Sequence, residues 1–188
     1  MIPYGRQSIN DVDIDYVIQT LKSDWLTQGP KIDDFEKEIV KKIGCKYAVT
    51  ANSATSCLHI ACKALGLKKG DWVWTSPNSF VASANAALYC SAKVDFVDID
   101  QDTYNMCCDK LENKLLQAKK ENLLPKIVIP VHFAGQSCDM EKLYKLSQKY
   151  DFKIIEDASH AIGGKYKREM IGNCRFSSIS VFSFHPVK

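Results

Sequence analysis

The sequence predicts an α/β domain in which a mainly parallel β-sheet is covered by helices on both faces. Short β-type runs alternate with amphipathic helical patterns from Lys46 onward, and a run such as 127–131 is apolar on both of its faces, as a strand of such a sheet must be. The chain has 188 residues, 46% hydrophobic and 25% charged. This is the composition of an ordinary globular domain with one well-packed core.

The composition also excludes several classes of protein. Lys and Arg number 25 against 22 Asp and Glu, which gives a net charge of +3, and the basic residues are scattered, so nucleic-acid binding is not expected. No apolar run approaches the ~20 residues that span a bilayer, and the first residues lack the apolar core of a signal peptide. We therefore expect a cytoplasmic protein without a membrane segment.

Eight cysteines are present, but none of them forms a C-x-x-C pair and several lie in apolar or helical stretches. This pattern favours reduced, mostly buried thiols over a disulfide framework. The adjacent Cys107 and Cys108 have no second cysteine or histidine pair at ligand spacing. No metal site is therefore predicted.

Two helical patterns open the chain. The first begins after the cap region 10–11 and runs to Leu21, and the second begins after 33–34 and stops at Gly44. The segment 25–30 between them is expected to be a loop.

Six β-type runs and four further helical patterns follow. The runs are 47–50, 72–75, 94–97, 126–131, 152–155 and 176–182. The helices are predicted at 54–66, 79–89, 108–120 and 139–149. In parallel sheets of this kind ligands bind beyond the carboxyl ends of the strands, so the residues that follow each run are the candidates for a functional site.

A turn of small and hydroxylated residues, 50–56, opens the first helix of the α/β region. The free N–H groups and the positive dipole end of this helix could hold a phosphate, with Ser53 and Thr55 adding hydroxyl donors. In the simpler alternative, Ser53 or Thr55 only caps the helix.

Two carboxylates and an imidazole, Glu156, Asp157 and His160, directly follow the buried run 152–155. An acid in this place can face a ligand in a medium of low dielectric, where an opposite charge or a hydrogen bond keeps it ionised. The alternatives are that Asp157 is an exposed acid or caps the next turn, and that His160 has a structural role.

Lys188 ends the last β-type run, after a turn at Pro186. Its amine is a carbonyl nucleophile only where the surroundings favour the neutral form, and otherwise it is a solvated surface group. Phe80, at the start of the helix 79–89, is by default a core residue, although an aromatic side chain there could equally cover a flat ring.

Four motifs, taken in their order along the chain, resemble those of the pyridoxal-phosphate (PLP) sugar aminotransferases of the DegT/DnrJ/EryC1/StrS family. They are N-S-A-T-S at 52–56, S-P-N-S-F-V-A-S-A-N at 76–85, E-D-A-S-H-A-I-G-G at 156–164 and S-F-H-P-V-K at 183–188. The early W-L-T-Q-G-P at 25–30 and the pair Phe35 and Glu36 match as well. The resemblance implies an amino-terminal segment plus a large domain of the type I aminotransferase kind over 1–188, and a smaller carboxyl-terminal domain beyond 188.

The resemblance implies a role for each of several residues. Lys188 matches the lysine that binds PLP covalently and moves the proton between the substrate carbon and the cofactor. Asp157 matches the carboxylate that pairs with the pyridine nitrogen and keeps it protonated. Phe80 matches the aromatic side chain stacked on the ring, and His160 stands where the family often has a glutamine near the ring hydroxyl. The phosphate contacts are matched by Ala54, Thr55 and Ser183.

Within the family, the motifs N-S-A-T-S, S-H-A-I-G and F-S-F-H-P-V-K resemble one group of transaminases. That group moves an amino group, here expected from glutamate, to C4 of a UDP-linked 4-keto-6-deoxy-N-acetylhexosamine in the pathway to pseudaminic acid. The resemblance also implies a homodimer, and it makes Arg6, Gln7 and Thr27 candidate contacts to the nucleotide sugar.

Three further readings of the same motifs can be weighed. Relatives that dehydrate the sugar have a histidine in place of Lys188, so a dehydratase is disfavoured. A transaminase for another nucleotide keto-sugar, acting at C3 or on a different 4-keto-sugar, remains open. So does a non-catalytic α/β module that binds phosphate or a nucleotide and in which Lys188 is a surface residue.

Overall fold

A five-stranded parallel sheet forms the centre of the structure, a computed structural model that describes residues 7–188. The strands of the described residues are Trp72–Thr75 (β1), Lys93–Phe96 (β2), Ile127–Ile129 (β3), Lys153–Asp157 (β4), Lys165–Tyr166 (β5), Glu169–Met170 (β6) and Ile179–Val181 (β7). The sheet has the order β2-β1-β3-β4-β7, and all neighbouring strands in it are parallel. The two short strands β5 and β6 form a separate antiparallel hairpin.

Helices connect the sheet strands from β1 to β4 in chain order, and the β5–β6 hairpin lies in the connection from β4 to β7. Each connection returns the chain to the amino ends of the strands, as parallel strands require. The helices are Asp11–Leu21 (α1), Pro30–Ile43 (α2), Ala54–Ala64 (α3), Ala82–Leu88 (α4), Cys108–Glu121 (α5) and Met140–Tyr150 (α6). As a result, the carboxyl ends of β1, β3, β4 and β7 all lie along one edge. Among residues 7–188, no helix combines the length and the apolar character that crossing a membrane requires.

The side chains of the central strands alternate between two apolar layers. Val73 of β1 belongs to the layer formed with α3 and α4, whereas its neighbour Trp74 belongs to the layer formed with α5 and α6. On β4, Ile155 and Ile154 are divided between the two layers in the same way. The predicted α/β architecture, with helices on both faces of a parallel sheet, is therefore confirmed.

The first two helices begin differently. Asn10 caps α1 as predicted, because its side chain accepts hydrogen bonds from the first turn while the Asp13 carboxylate accepts one from the Asn10 N–H. The predicted start of the second helix after 33–34 is wrong, since α2 begins at Pro30. Proline suits the first helical position because its φ is already helical and its missing N–H has no partner there. The helix ends, as predicted, at Gly44 with φ +78°.

The predicted strand at 47–50 is also wrong. This segment is a loop in which Tyr47 is 76% and Val49 78% exposed. A strand forms only where its backbone groups pair with a neighbouring strand, and none of the strands within residues 7–188 pairs with this segment. The β-type composition of 47–50 therefore reflects only a local preference of its residues. Among the described residues, no neighbouring strand pairs with this segment.

The remaining predicted helices and strands are all present, with ends within three residues of those predicted. The run 176–182 shows the largest shortening, because only Ile179–Val181 pairs with β4. No prediction covers the hairpin β5–β6, since two-residue strands are too short to show an alternating pattern.

All eight cysteines are free thiols. Cys62, Cys90, Cys108 and Cys138 are buried, and the others are partly buried. Burial raises the pKa of both Cys62 and Cys108 to about 12. These thiols are protonated and poorly nucleophilic at neutral pH, as expected for cysteines that serve as small core residues.

Candidate functional site

The end of β4 presents two successive carboxylates to opposite sides of the sheet. Glu156 and Asp157 are each only 4% exposed. Because side chains alternate along a strand, Glu156 shares the side of Ile154 and faces α5 and α6, whereas Asp157 shares the side of Ile155 and faces α3 and α4. Asp157 is therefore a buried acid at the edge where parallel sheets bind ligands, and not an exposed one.

Three hydrogen bonds hold the Asp157 carboxylate. Ser83 of α4 donates its hydroxyl to Oδ2 at 2.6 Å, and Ser159 donates its hydroxyl at 2.6 Å and its backbone N–H at 3.2 Å to Oδ1. The contacts to Ser159 show that Asp157 also caps the following turn. Ser83 was not predicted as a site residue, since a serine within a helical pattern gives no sign of a partner 74 positions away.

Three of the predicted site residues meet at the last residue of the chain. The Lys188 Nζ lies 2.7 Å from the His160 Nε2 and 5.9 Å from the centre of the Phe80 ring. The Lys188 N–H donates to the His185 carbonyl at 2.9 Å, which closes the turn that carries the lysine. Phe80 is 68% exposed, so the default prediction of a core residue is wrong, and its ring is accessible to a ligand.

His160 is suited to contact the lysine as a neutral imidazole. Its pKa lies below the ordinary value, because desolvation of part of the ring and the nearby Lys188 disfavour the imidazolium more than the Asp157 carboxylate favours it. A neutral ring can accept a hydrogen bond from the lysine at Nε2. The backbone of His160 is packed against Gly135, where an added Cβ would lie 2.8 Å from the His160 carbonyl oxygen.

The amino terminus of α3 is capped from within the chain. Ser53 is the N-cap residue, and its hydroxyl accepts a hydrogen bond from the Ser56 N–H at 3.2 Å. The capping role that the sequence left open therefore exists for Ser53. The N–H groups of Ala54 and Thr55, at the first two helical positions, have no carbonyl partner in their own helix, so they can still bind an anion at the positive end of the helix dipole.

The same helix terminus points toward the carboxyl edge of the sheet. α3 ends at Ala64, and the short connection 65–71 enters the amino end of β1, so the opposite end of α3 lies toward the edge that carries Asp157. α3 also packs against β4 and β7. The turn before it is fastened to α2, because the Glu36 Oε1 accepts hydrogen bonds from the Thr50 N–H at 2.7 Å and the Thr50 hydroxyl at 2.9 Å.

Glu156, on the other side of β4, is the centre of a buried polar network. Its Oε1 accepts hydrogen bonds from the hydroxyls of Ser177 and Ser180, and its Oε2 lies 2.8 Å from the His132 Nε2. His132 accepts the Cys138 N–H at Nδ1, so its own proton is on Nε2 and points to the carboxylate. Burial alone would raise the pKa of Glu156, but the hydrogen bonds from His132 and the two serines outweigh it and hold that pKa below the ordinary value.

Ser183 lies two residues beyond β7, at the same edge of the sheet. Its hydroxyl accepts a hydrogen bond from the His185 N–H at 3.4 Å, and within residues 7–188 it makes none to Ala54 or Thr55. Ser183 thus follows a strand that packs against α3, but among the described residues its hydroxyl makes no hydrogen bond to the helix terminus.

The residues considered for the nucleotide sugar are Thr27, Gln7 and Arg6. Thr27 is exposed in the bend before α2, and Gln7 is exposed before α1. Arg6 lies outside the described residues.

The chemistry of the clustered groups fits PLP. A lysine amine can hold its aldehyde, a buried carboxylate can pair with its cationic ring nitrogen, an exposed aromatic face can cover its flat ring, and a helix terminus can bind its phosphate. Each of these groups is found at or toward the carboxyl edge of the sheet. Within the part of the chain that the structure describes, no group of three His, Cys, Asp or Glu side chains could hold a metal ion.

Comparison with known proteins gives several relatives that align with essentially the whole chain. The UDP-4-amino-4,6-dideoxy-N-acetyl-beta-L-altrosamine transaminase of Campylobacter jejuni is 44% identical over 188 residues, which are 100% of this chain and 48% of the relative. An uncharacterized protein of Methanocaldococcus jannaschii is 41% identical over 187 residues, 46% of its length. The chain spans about half the length of these relatives.

Solved structures of aminotransferases also align with essentially the whole chain. Helicobacter pylori PseC, an aminotransferase involved in the biosynthesis of pseudoaminic acid, superposes with a TM-score of 0.89 at 32% identity, over 99% of this chain and 48% of that one. The PLP form of Spr1654 from Streptococcus pneumoniae superposes with a TM-score of 0.88 at 30% identity, over 100% and 50%. The family itself matches residues 7–188. The chain therefore belongs to the DegT/DnrJ/EryC1/StrS aminotransferase family.

Proposed function

We propose that this chain provides the PLP site of an aminotransferase for nucleotide-linked keto-sugars. The observation that carries the proposal is the Lys188 amine, faced by His160 and Phe80, at the same edge of the sheet as the buried Asp157 carboxylate. The likeness to Spr1654, which has been solved in PLP and PMP forms, supports the choice of cofactor. When bound, PLP supplies an electron-accepting ring that stabilises negative charge on the substrate carbon.

Each residue has a task that follows from its position. The Asp157 carboxylate would hold the proton on the ring nitrogen, the Phe80 ring would support one face of the cofactor, and the amino terminus of α3 would bind the phosphate. Lys188 would hold the cofactor through its amine, and its Nζ would carry a proton to and from the substrate carbon. His160 keeps the Nζ oriented through its Nε2, 2.7 Å away.

The proposed amino acceptor is C4 of a UDP-linked 4-keto-6-deoxy-N-acetylhexosamine, and the proposed donor is glutamate. The names of the C. jejuni relative and of PseC support this substrate class. Thr27 and Arg6 are the proposed contacts to the nucleotide sugar. We propose a cytoplasmic homodimer as the active form.

Absorbance spectra of the purified protein test the cofactor site. After PLP is added and the unbound PLP is removed, we expect a visible band that changes when glutamate is added. The band should be absent in Lys188→Ala, because it requires the lysine amine. A matched variant, Lys119→Ala, replaces an exposed lysine on α5 and should leave the band intact. A wild-type protein that keeps no such band once unbound PLP is removed would contradict the proposed cofactor site.

A panel of nucleotide sugars tests the acceptor. UDP-linked 4-keto and 3-keto hexosamines are each incubated with the protein, PLP and glutamate, and the aminated sugar is identified by mass and by the position of its new nitrogen. We expect amination at C4 of the 6-deoxy-N-acetyl substrate. If the protein aminates C3, or aminates only another sugar, the proposed acceptor is refuted. The cofactor proposal is retained in either case.

A further inference from the structure

We propose that Ser83 is a positioning residue for the reaction: its buried hydroxyl fixes the Asp157 carboxylate in the orientation that meets the ring nitrogen of the cofactor. The inference rests on the proposed function, because it takes Asp157 as the partner of that nitrogen. It assigns a role to a residue of α4 that the reasoning from sequence did not single out.

The contact between the two side chains is short and fully enclosed. The Ser83 Oγ lies 2.6 Å from the Asp157 Oδ2, and the two residues are 0% and 4% exposed. Ser83 lies on α4, in the helical layer that Asp157 faces across the sheet. In such surroundings a hydrogen bond to a charged oxygen is about twice as strong as one between neutral groups, and its loss is not compensated by water.

The direction of this hydrogen bond follows from counting protons. An ionised carboxylate only accepts, so the single hydroxyl proton of Ser83 points to Asp157. The Ser79 hydroxyl lies 2.7 Å from the Ser83 hydroxyl and 3.0 Å from the Phe80 carbonyl oxygen, so both of these oxygens are acceptors within reach of its single proton. Ser79 directly precedes Phe80, so a chain of hydroxyls joins the backbone at the aromatic side chain to the acid.

The two carboxylate oxygens are held from different parts of the fold. Both donors to Oδ1 come from Ser159, two residues further along the same chain segment, and this local turn moves together with Asp157. Ser83 is the donor from another element, and it ties Oδ2 to a helix packed against the sheet. Of these contacts, the hydrogen bond from Ser83 therefore fixes the orientation of the Asp157 carboxylate relative to Phe80.

The test compares PLP binding by the full chain and by Ser83→Ala. We expect the dissociation constant of PLP to rise about tenfold, the effect of losing one hydrogen bond to a charged group. The pH midpoint of the visible band of bound PLP should also move, because the altered carboxylate no longer holds the ring proton equally well. Ser83→Thr, which keeps the hydroxyl, should restore both values.

Ser147→Ala is the matched control. Ser147 is a buried helix serine, 4% exposed, whose hydroxyl donates to the Tyr144 carbonyl at 2.8 Å and accepts from the Gln148 Nε2 at 3.4 Å. Both partners belong to α6, so the loss of this hydroxyl should change neither the PLP constant nor the pH midpoint. If Ser83→Ala and Ser147→Ala lower the free energy of unfolding alike and neither affects PLP, the role of Ser83 is merely structural and the inference is overturned.

A double-mutant cycle separates this inference from the proposed function. In an Asp157→Ala background, Ser83→Ala should have no further effect on the PLP constant, because the group through which it acts is gone. Additive effects would refute the inference while leaving the cofactor site in place. A wild-type protein without a lysine-dependent PLP band would instead refute the proposed function, and the role of Ser83 with it.

Discussion

At the scale of single residues, Asp157 has the most specific expected phenotype. In Asp157→Ala, saturating PLP should still bind through Lys188 and the helix terminus, whereas the turnover number should fall on the order of 10²–10³-fold, as when one electrostatic stabiliser is removed. The measurement is cofactor content by absorbance beside steady-state kinetics on the same sample. Turnover close to the wild-type value would show that another group holds the ring proton.

Gly135 offers a test of how the position of His160 is maintained. Gly135→Ala should lower the free energy of unfolding by about 1–3 kcal/mol, because φ is +86° and the new Cβ would lie 2.8 Å from the His160 carbonyl oxygen. Gly66→Ala is the control, since it has φ +71° but no atom within 4 Å of the new Cβ. Urea unfolding measures the free energy of unfolding of both variants. Equal losses in the two variants would mean that the contact with His160 contributes nothing to stability.

Candidate site residues could be selected from the sequence where their neighbours along the chain form a recognisable pattern. Asp157 and His160 follow a recognisable buried run, and Lys188 lies in a recognisable motif. Ser83 could not be found in this way, because its partner is supplied by the folding of α4 across the sheet. Phe80 was placed by default in the core, since an apolar side chain at a helix start gives no indication of which way it faces.

At the scale of elements, the stability that β4 contributes to the fold should depend on pH through Glu156. The pKa of Glu156 is held below its ordinary value of 4.5, so the unfolded chain binds the proton first as the pH falls. The stability that Glu156 contributes is therefore complete above pH 4.5 and is lost as the pH falls through the lowered pKa of the folded chain. Urea unfolding between neutral and acid pH measures this loss.

Glu156→Gln should be less stable at neutral pH and less sensitive to acid. The amide has one acceptor oxygen where the carboxylate has two, so it cannot accept from both His132 and the two serines, and the glutamine does not titrate. Glu121→Gln, an exposed residue of α5, should keep the wild-type acid dependence. If acid lowers the free energy of unfolding of Glu156→Gln as much as that of the wild type, a group other than Glu156 causes the loss.

The elements that could be predicted are those whose pattern is set locally. α5 begins at the predicted residue and ends one residue beyond the predicted end, because its apolar positions repeat at helical spacing. The segment 47–50 has an equally clear β-type pattern but forms no strand, since pairing depends on a neighbour that no local pattern specifies. The start of α2 was misplaced because the acidic pair 33–34 resembles a cap more than Pro30 does.

At the scale of the whole molecule, stability depends on the two apolar layers on either side of the sheet. Leu115 and Leu116 are neighbours on α5, yet the first is 0% and the second 47% exposed. Leu115→Ala should cost about 2–5 kcal/mol of unfolding free energy because it leaves a cavity in the core. Leu116→Ala should cost less than about 0.5 kcal/mol. Similar losses, measured by urea unfolding, would contradict this arrangement of the layers.

The overall architecture was the most predictable property of the chain. A strict alternation of apolar runs with helical patterns leaves few arrangements other than a parallel sheet between two helical layers. The order of strands, β2-β1-β3-β4-β7, was not predicted. It depends on which strands pair with each other, and the residues of one strand do not specify its neighbours.

The alternation of Glu156 and Asp157 on β4 makes the protein sensitive to the length of one strand. Deleting a single residue from the middle of β4 would rotate every following side chain to the opposite side. The glutamate would then occupy the ligand side with its longer side chain, and the aspartate would meet His132 from too far away. Single-residue deletions in this strand should therefore abolish PLP binding even where the chain still folds, whereas equally short deletions among the exposed loop residues 101–103 should be tolerated.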